Sequence, residues 1–176
     1  MNGPPGVGKS TIAQLLTDER PLALRLDIDE LRTRLGRWRD DDAAKALARR
    51  LGVVMAREHL GARYDVVVPQ LLGRPEFGVT LAGLAAGAGG VFSEVLLRVD
   101  ESEALRRFLA RRAALVAASE AHPQIEILDV HAAEVLASTV RSLDALAATR
   151  PNTLVVDASG SVAATHAAVV AALTVG

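Results

Sequence analysis

No cysteine occurs among the 176 residues, so disulfides, zinc–thiolate sites and a thiol nucleophile are excluded at the outset. An excess of one charge is missing too. The 20 Lys and Arg stand against 21 Asp and Glu, a balance that does not support a nucleic-acid or acidic-membrane surface. No basic start followed by an apolar stretch marks a signal peptide. Nor is any apolar run long enough to span a bilayer. The most apolar window, 79–92, is broken by Gly83, Gly87, Gly89 and Gly90, and it reads as a buried helix end, a glycine turn and the next strand. These absences suit a cytoplasmic protein, monomer or homodimer. Its length is that of one ordinary domain built on one core.

What is present is an alternation. Half the residues are hydrophobic, and short branched apolar runs at 22–27, 64–68, 91–99 and 153–157 have the character of strands covered on both faces of a parallel sheet. Stretches of helical period lie between them. Ala44, Leu47, Ala48, Leu51 and Met55 fall on one face of such a helix, with Asp40, Asp41 and Asp42 placed at its start. Asp100 and Glu103 have capping-box spacing, and Ser161 is placed to cap the last helix. The pattern predicts a single three-layer α/β domain over 1–176, with a mostly parallel sheet.

One stretch matches a phosphate-binding pattern completely. Gly3, Pro4, Pro5, Gly6, Val7, Gly8, Lys9 and Ser10 read as G-x-x-x-x-G-K-[ST], and Thr11 continues into the helix that the pattern requires. The glycines allow a close backbone approach to an anion, and the amides with the helix start form an anion-binding concavity. Lys9 then reaches the terminal phosphates of ATP, and the Ser10 hydroxyl is positioned for Mg²⁺. A phosphate loop ordinarily follows a central strand, yet only Met1 and Asn2 precede Gly3. Either the chain begins inside a longer gene product or the sheet has its first strand truncated. The former is favoured, because losing a central strand leaves its neighbours with unpaired backbone groups.

Asp27 and Asp29 stand where the first complete strand should end, at the carboxyl edge where α/β sheets bind ligands. Phosphoryl transfer needs an oxygen ligand near Mg²⁺ and a carboxylate that orients or deprotonates the attacking hydroxyl. Asp27 suits the first task and Asp29 the second. The alternative is that Asp29 only caps the following helix. Arg74 is a candidate for an anionic acceptor or an ordinary loop charge. His59, His122, His131 and His166 show no ligand spacing.

The loop GPPGVGKST and the strand-end Asp27-Ile28-Asp29 resemble the P-loop kinases of the shikimate, gluconate and chloramphenicol phosphotransferase type. The segment 26–32 is similar to zeta-toxin-like kinases, and Tyr64 to Pro69 with Gln70 and Gly73 to tunicamycin-resistance-type proteins. The resemblance implies an ATP-dependent phosphotransferase acting on a hydroxyl of a small molecule, with no nucleic-acid or membrane partner. It maps the acceptor- or magnesium-contacting acid to Asp29 and Asp27. It also implies a basic lid around 104–125, carrying Arg106, Arg107, Arg111 and Arg112. Arg107 and Arg111, four residues apart, would then complete the charge around the transferring group. The alternative is a solvated helix face. The loop after the last strand, with Ser159 and Gly160, would touch the adenine, and Trp38 would lie near the acceptor. Two features depart from these families. Pro69 and Gln70 replace the shikimate kinase glycine cluster, and no acidic pair closes the 64–68 strand. A different class remains open: an ATP-binding switch or ATPase acting on a protein partner, or a degenerate ATP binder.

Overall fold

Met1 and Asn2 occupy the middle of the sheet. In the computed structural model, which describes residues 1–176 other than 42, 74, 121, 127, 128 and 176, these two residues are bonded on both sides. The Met1 ammonium donates to the Val68 carbonyl at 3.0 Å, and the Met1 carbonyl accepts from Gln70 N–H at 3.1 Å. On the other side Asn2 N–H donates to Val95 O at 2.7 Å and Asn2 O accepts from Leu97 N–H at 2.9 Å, a parallel bridge to Leu96. They join two pairs of parallel strands, β1 (Leu24–Arg25) with β2 (Val66–Val67) and β3 (Val95–Arg98) with β4 (Leu154–Asp157). The order across the sheet is therefore β1, β2, the Met1–Asn2 stub, β3, β4, all parallel.

The Met1–Asn2 stub is reinforced by a side chain. Asn2 is 2 % exposed, and its amide accepts from Leu72 N–H at 2.9 Å and Gly3 N–H at 2.8 Å while donating to Leu72 O at 3.2 Å. One residue thus ties the segment after β2 to the start of the phosphate loop and satisfies its buried backbone groups.

Each strand is shorter than its apolar run, because the ladder extends only where a partner is present. Leu22 sits in a turn with φ +56, and residues 91–94 precede β3 with Val91 exposed. Within β3, Val95, Leu96 and Leu97 are all buried in succession, so both faces of the sheet are covered. The helices are α1 (Lys9–Asp18), α2 (Ile28–Thr33), α3 (Ala43–Gly61), α4 (Pro75–Gly87), α5 (Glu101–Ala117), α6 (Asp129–Ala148) and α7 (Val162–Val175). Helices α1 and α7 pack together with β3 and β4 around Ile12, Leu16, Leu97, Val156 and Val169. Helices α2, α3 and α4 close a second core around Leu26, Ile28, Ala48 and Phe77. Phe108 of α5 meets Ala132 and Leu136 of α6.

The apolar face of α3 differs from the one its leucines suggest. Ala44, Ala48, Gly52 and Ala56 are buried, whereas Leu47, Leu51 and Met55 are at least a third exposed. The helix approaches α2 so closely that a Cβ on Gly52 would lie 2.4 Å from Ile28 Cδ1. Small residues permit that approach and leucines would prevent it. The 79–92 window does contain a helix end and a glycine turn, with Gly89 at φ +70 and Gly90 N–H bonded to Ala85 O at 2.8 Å. Val79, Val91 and Phe92 are nevertheless exposed, not buried. The caps fall as expected. Asp100 accepts from Glu103 N–H at 2.8 Å and Ser161 from Ala164 N–H at 3.2 Å; Asp41, expected only to suit the positive end of the α3 dipole, accepts from Ala43 N–H at 2.8 Å. Asp42 and Arg74 lie outside the described residues.

Candidate functional site

The phosphate loop leaves the stub at Gly3 and feeds directly into α1. Gly8 is the N-cap of α1 with φ +105 and no side-chain cap, so the first amides of the helix face outward for an anion. Gly6 is held more tightly. Its φ is +82, and a Cβ there would lie 2.8 Å from Phe108 N and 3.0 Å from Phe108 Cα. The loop therefore rests on the backbone of α5, and only glycine fits.

Beside the loop opens a cleft of about 250 Å³. The loop contributes Pro5, Gly6, Gly8, Lys9 and Ser10 to its wall, and the end of β1 contributes Asp27 and Asp29. Lys9 Nζ donates to the Gly3 and Pro4 carbonyls, each at 2.9 Å, which holds its ammonium over the loop. Burial lowers its pKa from 10.5 to about 8; Arg111 pushes the same way and Asp29 and Asp27 oppose it. Such an ammonium has few compensating charges and is poised for a phosphate.

Asp27 is 7 % exposed and uses both carboxylate oxygens. Oδ1 caps α2 by accepting from Asp29 N–H at 3.0 Å and Glu30 N–H at 3.4 Å, while Oδ2 receives the Ser10 hydroxyl at 3.1 Å. Arg25 Nη1 lies 3.7 Å from Oδ2 and is anchored by Glu30. The helix cap foreseen as an alternative role for Asp29 thus belongs to Asp27. Asp29 sits in the first turn of α2, half-buried, and lines the cleft. Ser10 Oγ and Asp27 Oδ2 form a compact pair of hard oxygens. Mg²⁺ bound with phosphates takes only one or two protein ligands, so this donor set fits the ion.

The arginines of α5 separate. Arg111 reaches the cleft, as do His122, Pro123 and Gln124 beyond the end of α5. Arg107, one turn earlier, does not line it. Its guanidinium binds Glu103 and donates to Ala158 O at 2.8 Å and Ser159 O at 3.2 Å, tying α5 to the loop after β4. Because α5 lies against the loop at Phe108, a residue one turn nearer its start passes beyond the cleft. Arg106 pairs with Glu103 at the surface. Hydrogen bonds from Arg106 and Arg107 bring the Glu103 carboxyl from 4.5 down to about 2. Arg112 is half-buried outside the cleft lining, and Thr11 is exposed. Ser159 and Gly160 form an exposed turn in which Asp157 accepts from the Ser159 amide and hydroxyl.

Several lining residues carried no sequence signal: Arg32 comes from α2, Lys45 and Arg49 from α3, and Gln124 from the turn after α5. His122, read from sequence as a core or surface histidine, also faces the cleft. Burial, then Arg111, holds its pKa below the usual value. Trp38 is buried and does not line the cleft; the Arg32 and Arg39 guanidiniums lie over its ring at 4.7 and 4.6 Å.

The architecture is shared with solved structures. A gluconokinase from Sinorhizobium meliloti 1021 superposes with a TM-score of 0.62 at 18 % identity, covering 98 % of this chain and 89 % of its own. The APS kinase of Mycobacterium tuberculosis, solved with AMPPNP and APS, gives 0.59 at 21 % identity, covering 98 % and 94 %. A deoxyadenosine kinase from M. mycoides gives 0.53 at 13 % identity, covering 98 % and 96 %. At these identities the likeness establishes the fold, that of the P-loop NTPases. No protein with a curated description matches the sequence. Among the described residues no helix is long and apolar enough to cross a membrane. A family model described as an AAA domain matches residues 1–126, the whole segment that carries the phosphate loop, Asp27, Asp29 and Arg111, and the chain belongs to that P-loop family.

Proposed function

We propose that the protein is an ATP-dependent phosphotransferase that moves the γ-phosphoryl group to a hydroxyl of a small molecule. The loop amides and Lys9 hold the phosphates, and Ser10 with Asp27 would hold Mg²⁺. When bound, the ion neutralises phosphate charge and shields the transferring group. Asp29 orients the acceptor hydroxyl and takes its proton. The acceptor oxygen bonds to the γ-phosphorus, the bond from that phosphorus to the β–γ bridging oxygen breaks, and ADP leaves. Arg111 offsets charge on the transferring oxygens. Residues 1–176 act as one domain, with the 104–125 segment as the cover of the cleft. The tie from Arg107 to Ala158 and Ser159 supports a role in holding the adenine-side loop, not in touching phosphate.

One observation carries this reading: the phosphate loop and Asp29 line the same cleft. The test is Lys9→Ala. Nucleotide affinity measured by calorimetry should fall sharply, because the phosphates lose a direct cationic partner. The unfolding midpoint should hold. Unchanged ATP binding would remove the proposal's foundation. The AAA description of the family favours one other reading, an ATPase that acts on a protein partner. Phosphate release stimulated by a protein, with no phosphorylated small molecule formed, would favour it.

A further inference from the structure

A second cavity, of about 370 Å³, opens at the edge of the sheet opposite the phosphate loop. It lies where β3 and β4 begin, for Glu94 and Thr153 line it and each stands one residue before its strand. The strands and the Met1–Asn2 stub run parallel, so their carboxyl ends carry the phosphate loop and Asp27 and their amino ends carry this cavity. The two openings share no lining residue. Its volume is that of a small-molecule site, roughly 300–1,000 Å³.

The polar groups of the cavity are fixed before any ligand arrives. Arg150, in the turn after α6, donates from Nη1 to Glu94 Oε2 at 2.7 Å, and Glu94 Oε1 accepts from Asn2 Nδ2 at 3.3 Å. The Arg150 and Glu94 side chains are only 20 and 11 % exposed. Among the described residues the Arg150 side chain makes no other hydrogen bond, so Nε and Nη2 keep donors to offer. Gly78 of α4 leaves the guanidinium uncovered, since a side chain there would start 3.6 Å from Nη1 and 3.8 Å from Nη2. Thr153 Oγ1 is buried without a partner, whereas buried hydroxyls ordinarily have one. Beside these groups lies apolar surface: Val79 and Phe92 line the same cavity and are 67 and 38 % exposed. Charge narrows the choice of occupant. Glu94 already neutralises Arg150, so an anion on Arg150 would be set beside a carboxylate, and a cation would compete with Arg150 for Glu94. A neutral ligand meets neither cost.

We propose that this cavity is a second binding site, for a small neutral aromatic amide or lactam. Its ring packs on Phe92 and Val79, its carbonyl accepts from Arg150, and its N–H donates to Thr153 Oγ1. An amide edge presents an acceptor and a donor side by side, which is the complement of a free guanidinium N–H next to an unpartnered hydroxyl oxygen. An exposed phenyl ring favours an aromatic partner over an aliphatic one of equal area. The site stands apart from the phosphotransferase reading, because no residue serves both. Asn2 nevertheless bonds Glu94 through Nδ2 and Gly3 N–H through Oδ1, so a ligand here abuts the support of the phosphate loop.

Benzamide is the minimal probe. Acetophenone, which lacks the N–H donor, and benzoate, which has a carboxylate in place of the amide, are its controls. Each is titrated by NMR into isotopically labelled protein, with and without saturating Mg-AMPPNP, for the wild type, Thr153→Val and Ala82→Phe. Benzamide should give saturable shifts at the amides of Gly78, Ala82 and Thr153 that nucleotide does not reverse. Acetophenone and benzoate should bind more weakly by about fivefold or more, the worth of one neutral hydrogen bond. Thr153→Val should weaken benzamide to the level of acetophenone. Ala82 also lines the cavity, so Ala82→Phe fills it and should abolish binding of all three probes. Thr153→Val keeps the side-chain shape while removing an unpaired hydroxyl, and Ala82 is half-buried, so both variants should keep a folded spectrum. No saturable benzamide binding, displacement of benzamide by Mg-AMPPNP, benzoate binding as tight as that of benzamide, or an affinity indifferent to either substitution overturns the proposal.

Discussion

Replacing Asp27 by Asn separates the two tasks that this side chain combines. Its Oδ1 accepts from Asp29 and Glu30 N–H, while Oδ2 meets the Ser10 hydroxyl at 3.1 Å and lies 3.7 Å from Arg25. An asparagine keeps a carbonyl oxygen for the cap, and Asn and Asp cap helices about equally well. The ion pair to Arg25 is lost. Removing one partner of a buried pair can cost about 3–5 kcal/mol when it strands the other charge. Here Arg25 retains Glu30 at 2.8 and 3.0 Å, so no charge is stranded and the cost falls to about 1 kcal/mol or less. For a chain of this size that is a drop of about 2–4 °C in Tm. Asp27→Ala should cost about 1 kcal/mol more, because the cap goes too. The effect on nucleotide binding is of a different kind. An amide is a poorer ligand for a hard cation, so affinity for Mg-ATP should fall by about 10–100-fold while affinity for ATP in EDTA hardly moves. Calorimetry with and without Mg²⁺, alongside denaturant unfolding, measures both. A variant whose Mg²⁺ dependence equals that of the wild type would refute the reasoning, and one that loses both affinities together with several kcal/mol of stability would make Asp27 a structural residue only.

Asp29→Asn should leave Mg-ATP binding nearly unchanged and reduce phosphoryl transfer by about a hundredfold or more, as loss of a general base does. Since Asp27 is the cap of α2, full activity in this variant could not be assigned to capping and would remove Asp29 from the mechanism. Gly6→Ala should lower stability by about 1–3 kcal/mol and impair nucleotide binding, because its Cβ meets the α5 backbone at 2.8 Å with φ held positive. A denaturation midpoint equal to that of the wild type would show that loop and helix separate freely. Glu103 predicts an acid dependence. Its folded pKa of about 2 lies below its ordinary 4.5, so the stabilisation is present above 4.5 and is lost as the pH falls towards 2. Glu103→Gln should therefore flatten stability measured across that window, and an unaltered acid limb would count against the Arg106 and Arg107 clasp.

The features legible in the sequence are those that a short contiguous stretch dictates. A complete G-x-x-x-x-G-K-[ST] string allows few conformations other than a phosphate cradle, and Asp27 and Asp29 follow the next apolar run closely enough to be placed at a strand end. The caps at Asp100 and Ser161 are likewise set within three residues of chain. The apolar runs revealed a parallel sheet, but their lengths overstated the strands, because pairing ends where the neighbouring strand ends.

Only the tertiary structure decided what depends on distant contacts. Periodicity placed Leu47, Leu51 and Met55 inward, yet the close approach of α2 selected the seam of Ala44, Ala48, Gly52 and Ala56. Helical spacing put Arg107 and Arg111 in one role, but contact between Gly6 and Phe108 sends the first to Ala158 and Ser159 and the second into the cleft. Met1 and Asn2 look too few to form a strand. They serve as one because β2 and β3 present unpaired amides and carbonyls on either side, and because the Asn2 side chain bonds Leu72 across 70 residues of sequence. Arg32 of α2, Lys45 and Arg49 of α3, and Gln70 after β2 all line the cleft and share no motif. Their convergence is a property of how α2 and α3 pack over the sheet edge, so local chain chemistry determined the phosphate half of the cleft and packing alone determined the other half.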